Sequence, residues 1–168
     1  MAQTFTSKAT SINSARLPAV YGKAPLSASL VFDYGCGKHT DHIEEYVKAQ
    51  HKVYLPYDPY NQTEDTNRVS VTIVLNAMYA RFPVDIICSN VLNVIDDEDE
   101  IRKIANHIQE IASATGGTGY VTVYEGDRSG SGRQTGTDQY QRNEPLRSYL
   151  RFFRNASIHN GMIIVKED

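Results

Sequence analysis

Long apolar runs are missing from this chain: none approaches the ~20 residues that crossing a bilayer requires, although hydrophobic residues make up 40% of the sequence. No membrane span is therefore expected. The first residues lack a basic start followed by a long apolar core, so no secretory signal is expected either. Cysteine is scarce. Cys36 and Cys88 stand alone at the ends of separate apolar runs, which points to reduced thiols in a cytoplasmic protein and cannot by itself furnish a zinc site. Repeats, heptads and low-complexity tracts are absent, and 168 residues suit one domain with a substantial core. A Ser-His-Asp set, a metal cluster and a Gly-Lys-Ser/Thr phosphate loop are also lacking. No metal is expected. Net charge is only −3, so there is no general attraction to nucleic acid, but the charge is unevenly spread. From Arg128 to Arg154 six arginines stand against two acids, a local excess of four positive charges that favours an anionic partner.

What is present centres on Leu30 to Asn61. The run Leu30-Val31-Phe32-Asp33-Tyr34-Gly35-Cys36-Gly37-Lys38 ends in an acid and two glycines, and Asp41 to Gln50 has helix-forming composition. This predicts a buried strand, a tight turn and a helix. Gly35 and Gly37 permit positive φ and close approach of a ligand to the main chain. A second apolar run, Lys52 to Tyr57, ends at Asp58, which Pro59 restricts to extended geometry. A carboxylate is thereby placed at the end of the next parallel strand, where open α/β sheets bind ligands and where an acid can accept ribose hydroxyls.

Along the rest of the chain, residues 1–20 predict an N-terminal arm or lid, with a helical turn over Ser11–Arg16, and residues 21–168 predict the ligand-binding domain. Thr40 is the expected cap of the first long helix. Asn67 to Arg81 mixes strand-type and helix-type signals; it is expected to be mainly helix, capped by Asn67, because the chain must cross back to a parallel strand. Val84 to Ser89 predicts a buried strand, Asp96 to Ser113 an amphipathic helix, and Gly119 to Tyr124 a further strand. The glycine-rich loop Glu125 to Gly136 follows at the ligand edge, then a helix from Glu144 to Arg154 and a hairpin around Asn160-Gly161.

At Asp33-x-Gly35-x-Gly37, Asp58 and Asp85-Ile86-Ile87-Cys88-Ser89-Asn90-Val91-Leu92-Asn93-Val94-Ile95 the chain resembles the class I S-adenosylmethionine (SAM) dependent methyltransferases. Arg16-Leu17-Pro18, Tyr57-Asp58-Pro59 and Tyr124-Glu125-Gly126-Asp127 are similar to patterns in small phage and bacterial proteins of that kind. The resemblance implies an α/β, Rossmann-like methyltransferase sheet. It would be mostly parallel with helices on both faces, reduced in the third-strand region and at the C-terminus. It implies SAM as cofactor and, if the chain is phage-encoded, the host cytoplasm as its location. Asp33, Gly35, Gly37, Lys38, Asp58, Asn61, Ser89, Asn90 and Asn93 would hold the cofactor. Arg16, Arg128, Arg133 and Tyr140 would contact the substrate, and Glu125 and Asp127 are the carboxylates available as proton acceptors.

Methyl transfer needs mainly positioning, so the missing catalytic triad does not count against an enzyme. The acceptor stays open. The arginine-rich segment favours nucleic acid, and Tyr140 or Tyr149 could stack a base, with a small metabolite as the rival. Neither the Asp/Asn-Pro-Pro-Tyr motif of amino-methylating enzymes nor a Pro-Cys nucleophile loop is present. Two alternatives remain: a SAM-binding or SAM-degrading protein without transferase activity, and an NAD-binding protein. The latter would want Gly-x-Gly-x-x-Gly, and position 40 is Thr.

Overall fold

The computed structural model describes residues 16–137 and 139–167. The expected turn over Ser11–Arg16 thus lies outside the described residues except for Arg16. The first helix among the described residues, α1 (Ala19–Lys23), follows Pro18, whose carbonyl accepts the Tyr21 amide. Val20 and Tyr21 in α1 are buried, so the chain is docked from there onward. In order come β1 (Leu30–Tyr34), α2 (Asp41–Lys48), β2 (Val53–Tyr57), α3 (Glu64–Ala80), β3 (Val84–Ser89), a 3-10 turn Leu92–Val94, α4 (Glu98–Thr115) and β4 (Gly119–Thr122). The remainder is β5 (Arg133–Gly136), β6 (Gln139–Gln141), a 3-10 helix Leu146–Phe152, β7 (Ala156–His159) and β8 (Met162–Val165).

Six strands form one mixed sheet in the order β2-β1-β3-β4-β8-β7, with β5 and β6 as a separate ribbon. The first four are parallel, and β8 runs antiparallel to both its neighbours, so β7 points the same way as β4. Alternation along the strands divides the core in two. Phe32, Leu55, Ile86, Cys88, Val121 and Ile163 face α3, α4 and the 3-10 helix Leu146–Phe152. Val31, Tyr54, Ile87, Tyr120 and Met162 face α1 and α2. Helices therefore cover both faces, as the near-continuous apolar runs of β1 and β3 require.

Three elements differ from expectation. The helix over Asn67–Arg81 begins earlier, at Glu64, because Thr63 caps it by accepting the Thr66 amide at 3.1 Å; Asn67 turns elsewhere. Thr40 precedes α2 but makes no side-chain cap. The segment Glu144–Arg154 winds as a 3-10 helix rather than an α-helix, its amides bonding three residues back from Ser148 to Pro145 and from Phe153 to Leu150. Its buried anchors, Tyr149, Phe152 and Phe153, lie three and one residues apart, which suits a three-residue turn. The asparagine-glycine hairpin is present, with Asn160 and Gly161 both at positive φ.

Asp85 holds the opposite end of the sheet. Fully buried at the start of β3, it accepts the amides of Ser27 at 2.7 Å, Ala28 at 2.8 Å and Thr118 at 3.3 Å, tying together the chain entries to β1 and β4. Asp85→Ala would strand three amides with one deletion. We expect a loss of about 3 kcal/mol, measurable as a lower urea midpoint; a loss under about 1 kcal/mol would mean that water replaces the carboxylate there.

Candidate functional site

The connection from β1 runs through α2 to β2 on one side of it, and the connection from β2 returns through α3 to β3 on the other. The loops leaving β1 and β3 therefore diverge, which is where an open parallel sheet presents a crevice at its carboxyl edge. Gly35, at φ +83°, lies at this point against Val91, and a Cβ there would overlap the valine side chain. The turn is fixed to β2. The amides of Gly35 and Cys36 donate to the Tyr57 carbonyl at 2.7 and 3.1 Å, and Gly37 donates to Asp58 Oδ2 at 3.0 Å. Gln62 closes the arrangement by donating to the Gly37 carbonyl at 2.7 Å.

Asp58 is the hub. Its Oδ1 accepts the amides of Tyr60 and Asn61 and the Asn61 side chain at 2.9, 3.0 and 3.2 Å. Among the described residues Oδ2 accepts from the Gly37 amide alone, and a carboxylate oxygen has two acceptor directions. Asn67, at the start of α3, brackets the same residue by accepting from its amide at 3.0 Å and donating to its carbonyl at 2.9 Å. Of the residues expected at the cofactor, Asp58 and Asn61 meet here, and Gln62 and Asn67, which carried no such expectation, complete the cluster. A helix-start asparagine nine residues after an Asp-Pro turn was the available signal, and it was assigned to capping.

Asp33 does not join this cluster. It points to the α1–α2 side of the sheet, where Oδ2 accepts the hydroxyls of Tyr21 at 2.7 Å and Tyr54 at 2.8 Å. Burial raises its carboxyl from 3.8 to about 6, against the lowering effect of the two tyrosines, with the Asp58 charge adding to the rise. Burial and the neighbouring Asp33 charge likewise push the Cys36 thiol well up, so it is no ready nucleophile. Lys38 and Asn90 are exposed at the edge, Asn90 at φ 57° with its amide on the Thr122 carbonyl at 2.9 Å. Ser89 Oγ accepts from Thr122 at 3.1 Å. Asn93 is buried beneath them: its Nδ2 donates to Gln141 at 3.1 Å, while its Oδ1 has no hydrogen-bond partner among the described residues.

Beyond β4 the edge continues as a cavity of about 560 Å³ lined by Val123, Tyr124, Glu125, Arg128, Leu146 and Gly161. That is the size of a small-molecule site. Glu125 accepts the Leu146 amide at 2.7 Å and pairs with Arg128; the amide first and then the arginine hold its carboxyl below the usual range. Asp127 is exposed and held low by the Ser129 hydroxyl and amide, the latter at 2.9 Å. Both are weak bases. Arg133 is exposed on β5, and Tyr140 on β6 is half-buried with its hydroxyl against Gly132. Arg16 is exposed, its carbonyl 3.2 Å from His42 Nε2 near the start of α2.

Two arginines of the basic segment are held in an ion-pair network, while Arg133, Arg147 and Arg154 are exposed. Arg142 is buried, donating to Glu144 at 2.8 Å, Glu98 at 3.1 Å and the carbonyls of Ile95 and Asp96 at 3.2 Å. Arg151 reaches the same two carboxylates at 2.8 and 2.9 Å and lies 4.4 Å over the Phe152 ring. Glu98, outside the segment, thus answers part of its charge. Burial opposes ionisation of Glu144, but donors from Arg151, Ser148 and Arg142 prevail and hold it at about 2. Among the described residues no set of side chains could hold a metal ion, and no helix is long and apolar enough to cross a membrane.

Family models, curated proteins and solved structures yield no match to this chain.

Two outcomes follow from the geometry. Because the folded Asp33 binds its proton up to about pH 6 while the unfolded chain releases it near 3.8, stability falls as pH rises through that window. In Asp33→Asn that slope vanishes. Denaturation between pH 4 and 7 should show wild type losing roughly 3 kcal/mol relative to the variant; parallel curves would place the proton elsewhere. Arg142→Met should cost about 3 kcal/mol, since it leaves Glu144 partly unpaired, and Arg142→Lys should recover little because a lysine cannot reach four acceptors at once. Full recovery by lysine in thermal melts would reduce the network to simple charge pairing.

Proposed function

We propose that this protein is a SAM-dependent methyltransferase with a Rossmann-like sheet lacking the usual third strand, acting on a small acceptor at the Tyr124 cavity. The observation that carries the reading is the state of the glycine turn. Its three amides, at Gly35, Cys36 and Gly37, are all taken by the Tyr57 carbonyl and Asp58. A dinucleotide needs such amides for its pyrophosphate. A nucleoside without phosphate does not, and the second acceptor direction of Asp58 Oδ2 suits a ribose hydroxyl. This supports SAM over NAD. The strand order, with an antiparallel β8 inserted beside β4, supports the same family likeness as the sequence motifs.

In this reading Asp58 takes the ribose, with Asn61 holding its carboxylate in place. Lys38 supplies a cation for the amino-acid carboxylate, and Asn90 offers an amide at the neighbouring loop. When bound, SAM supplies an electrophilic methyl group. Tyr124, Val123 and Leu146 offer the acceptor an apolar surface, and Glu125 with Arg128 offers one group of each charge. Since Glu125 and Asp127 are weak bases, the acceptor brings its own lone pair rather than being deprotonated by them. Arg142 and Arg151 are tied to Glu144 and Glu98 and so are not free to grip a polyanion, and the cavity has the size of a small-molecule site, so we put a small molecule ahead of a polyanion. The second reading is a protein that binds SAM without transferring its methyl group; it gains for any acceptor that must lose a proton first, since neither carboxylate is a strong base.

Calorimetric titration with SAM, S-adenosylhomocysteine and NAD tests the cofactor. We expect micromolar binding of the first two, none of NAD, and at least tenfold weakening in Asp58→Ala checked for folding by circular dichroism. A folded wild type that binds neither SAM compound ends the proposal. With methyl-labelled SAM and a panel of small and nucleic-acid acceptors, Tyr124→Ala should lower turnover while sparing SAM affinity; binding without transfer to any acceptor would select the second reading.

A further inference from the structure

Among the described residues the outer side of α3 is unlike that of α2 or α4. The outward positions of α4 include Arg102, Lys103, Asn106, His107 and Glu110, and those of α2 include Glu45 and Lys48. In α3, by contrast, no charged residue occurs from Val69 to Ala80. Its inner side already buries Ser70, Val74 and Ala77 against the sheet. Yet Val69 is 55% exposed, Leu75 57%, Tyr79 94% and Phe82, just past the helix end, 47%. Val69, Thr72, Asn76 and Tyr79 fall at i, i+3, i+7 and i+10, and Leu75 and Tyr79 at i and i+4, with Phe82 beyond the left-handed Arg81 at the helix end. Two adjacent rows thus converge on one almost fully exposed tyrosine. Thr72 and Asn76 are uncharged, so Val69, Leu75, Tyr79 and Phe82 stand on a face without a single charge, the kind of exposed apolar surface that marks a docking site.

The neighbouring sheet edge narrows the choice of occupant. β2 is the outermost strand, and the Val53 amide bonds inward to the Ser29 carbonyl, so alternation turns Tyr54 and Pro56 to the open side. Pro56 has no amide, leaving the Tyr54 N–H as the one outward donor within β2. That edge is poorly suited to accept another strand. The occupant therefore docks on side chains of α3. Residues 1–15 are not the best source. They join the described structure at Arg16, which contacts His42 on α2, across the sheet from α3.

We propose that the α3 face is covered by the α3 of a second copy, packed antiparallel about a twofold axis. The charges favour this arrangement. Glu64, Asp65 and Arg68 leave the start of the helix net negative, Arg81 makes its end positive, and no charge lies between. Antiparallel pairing brings each Arg81 toward the other copy's Glu64–Asp65 turn, opposes the helix dipoles and matches apolar rows with themselves, as an isologous contact requires. The site at the carboxyl edge is left open.

The test is sedimentation velocity of the full chain from 1 to 200 µM, with wild type, Tyr79→Glu and Arg81→Glu, and with a double variant combining Arg81→Glu and Asp65→Arg. Thermal melts control for folding. Wild type should be dimeric, Tyr79→Glu monomeric with an unchanged far-ultraviolet spectrum, Arg81→Glu at least tenfold weaker, and the double variant restored toward wild type. A wild type that is monomeric at 200 µM overturns the proposal and assigns the face to a different protein. A dimer that survives Tyr79→Glu overturns it by placing the interface elsewhere, and failure of the double variant to recover overturns the antiparallel arrangement.

Discussion

The contact between Asp58 and the Gly37 amide governs the carboxyl edge of this protein. One carboxylate joins the loop after β1 to the turn after β2, and Asn61, Gln62 and Asn67 converge on the same junction. Removing the carboxylate takes away the Gly37, Tyr60 and Asn61 contacts at once, while the Tyr57 carbonyl and Gln62 still hold the turn. The cost of this design is chemical. Amides used to fix the turn are no longer free to bind a ligand, so recognition must come from side chains and shape, and a phosphate-bearing ligand is disfavoured at the outset.

Asp33 shows the opposite use of an acid in the same motif. It lies two residues before Gly35 and faces the other side of the sheet, where two tyrosine hydroxyls accompany it into the core. The period of a strand dictates this: Val31 and Asp33 point one way, Phe32 and Tyr34 the other. The acid therefore anchors α1 through Tyr21 instead of touching the crevice directly. Burial without a cation leaves it easier to protonate than an ordinary carboxyl.

Much of the architecture was legible because the strong local signals are also the true ones. The apolar runs at Leu30, Val53 and Val84 became β1, β2 and β3, and Asn160-Gly161 became a hairpin. The failures arise where distant partners decide. Glu144–Arg154 has the apolar spacing of either helix type, and only the packing of Tyr149, Phe152 and Phe153 selects the 3-10 form. Arg142 looked like one of six surface arginines, yet its place inside the protein depends on Glu98, more than forty positions away. The meeting of Asp58 with the glycine turn was legible from their spacing, whereas the engagement of Glu125 with the Leu146 amide follows from no spacing rule.

The position of β8 carries a consequence for the order in which the sheet can close. Met162–Val165 follows the other described strands in sequence but lies in the interior of the sheet, between β4 and β7. Until that segment is in place, the outer flank of β4 has no neighbour, β7 has nothing to join, and the cores on the two faces lack Ile163 and Met162. The strand that closes the sheet is thus the last of them to leave the ribosome, and an apolar edge stays unpaired until it arrives.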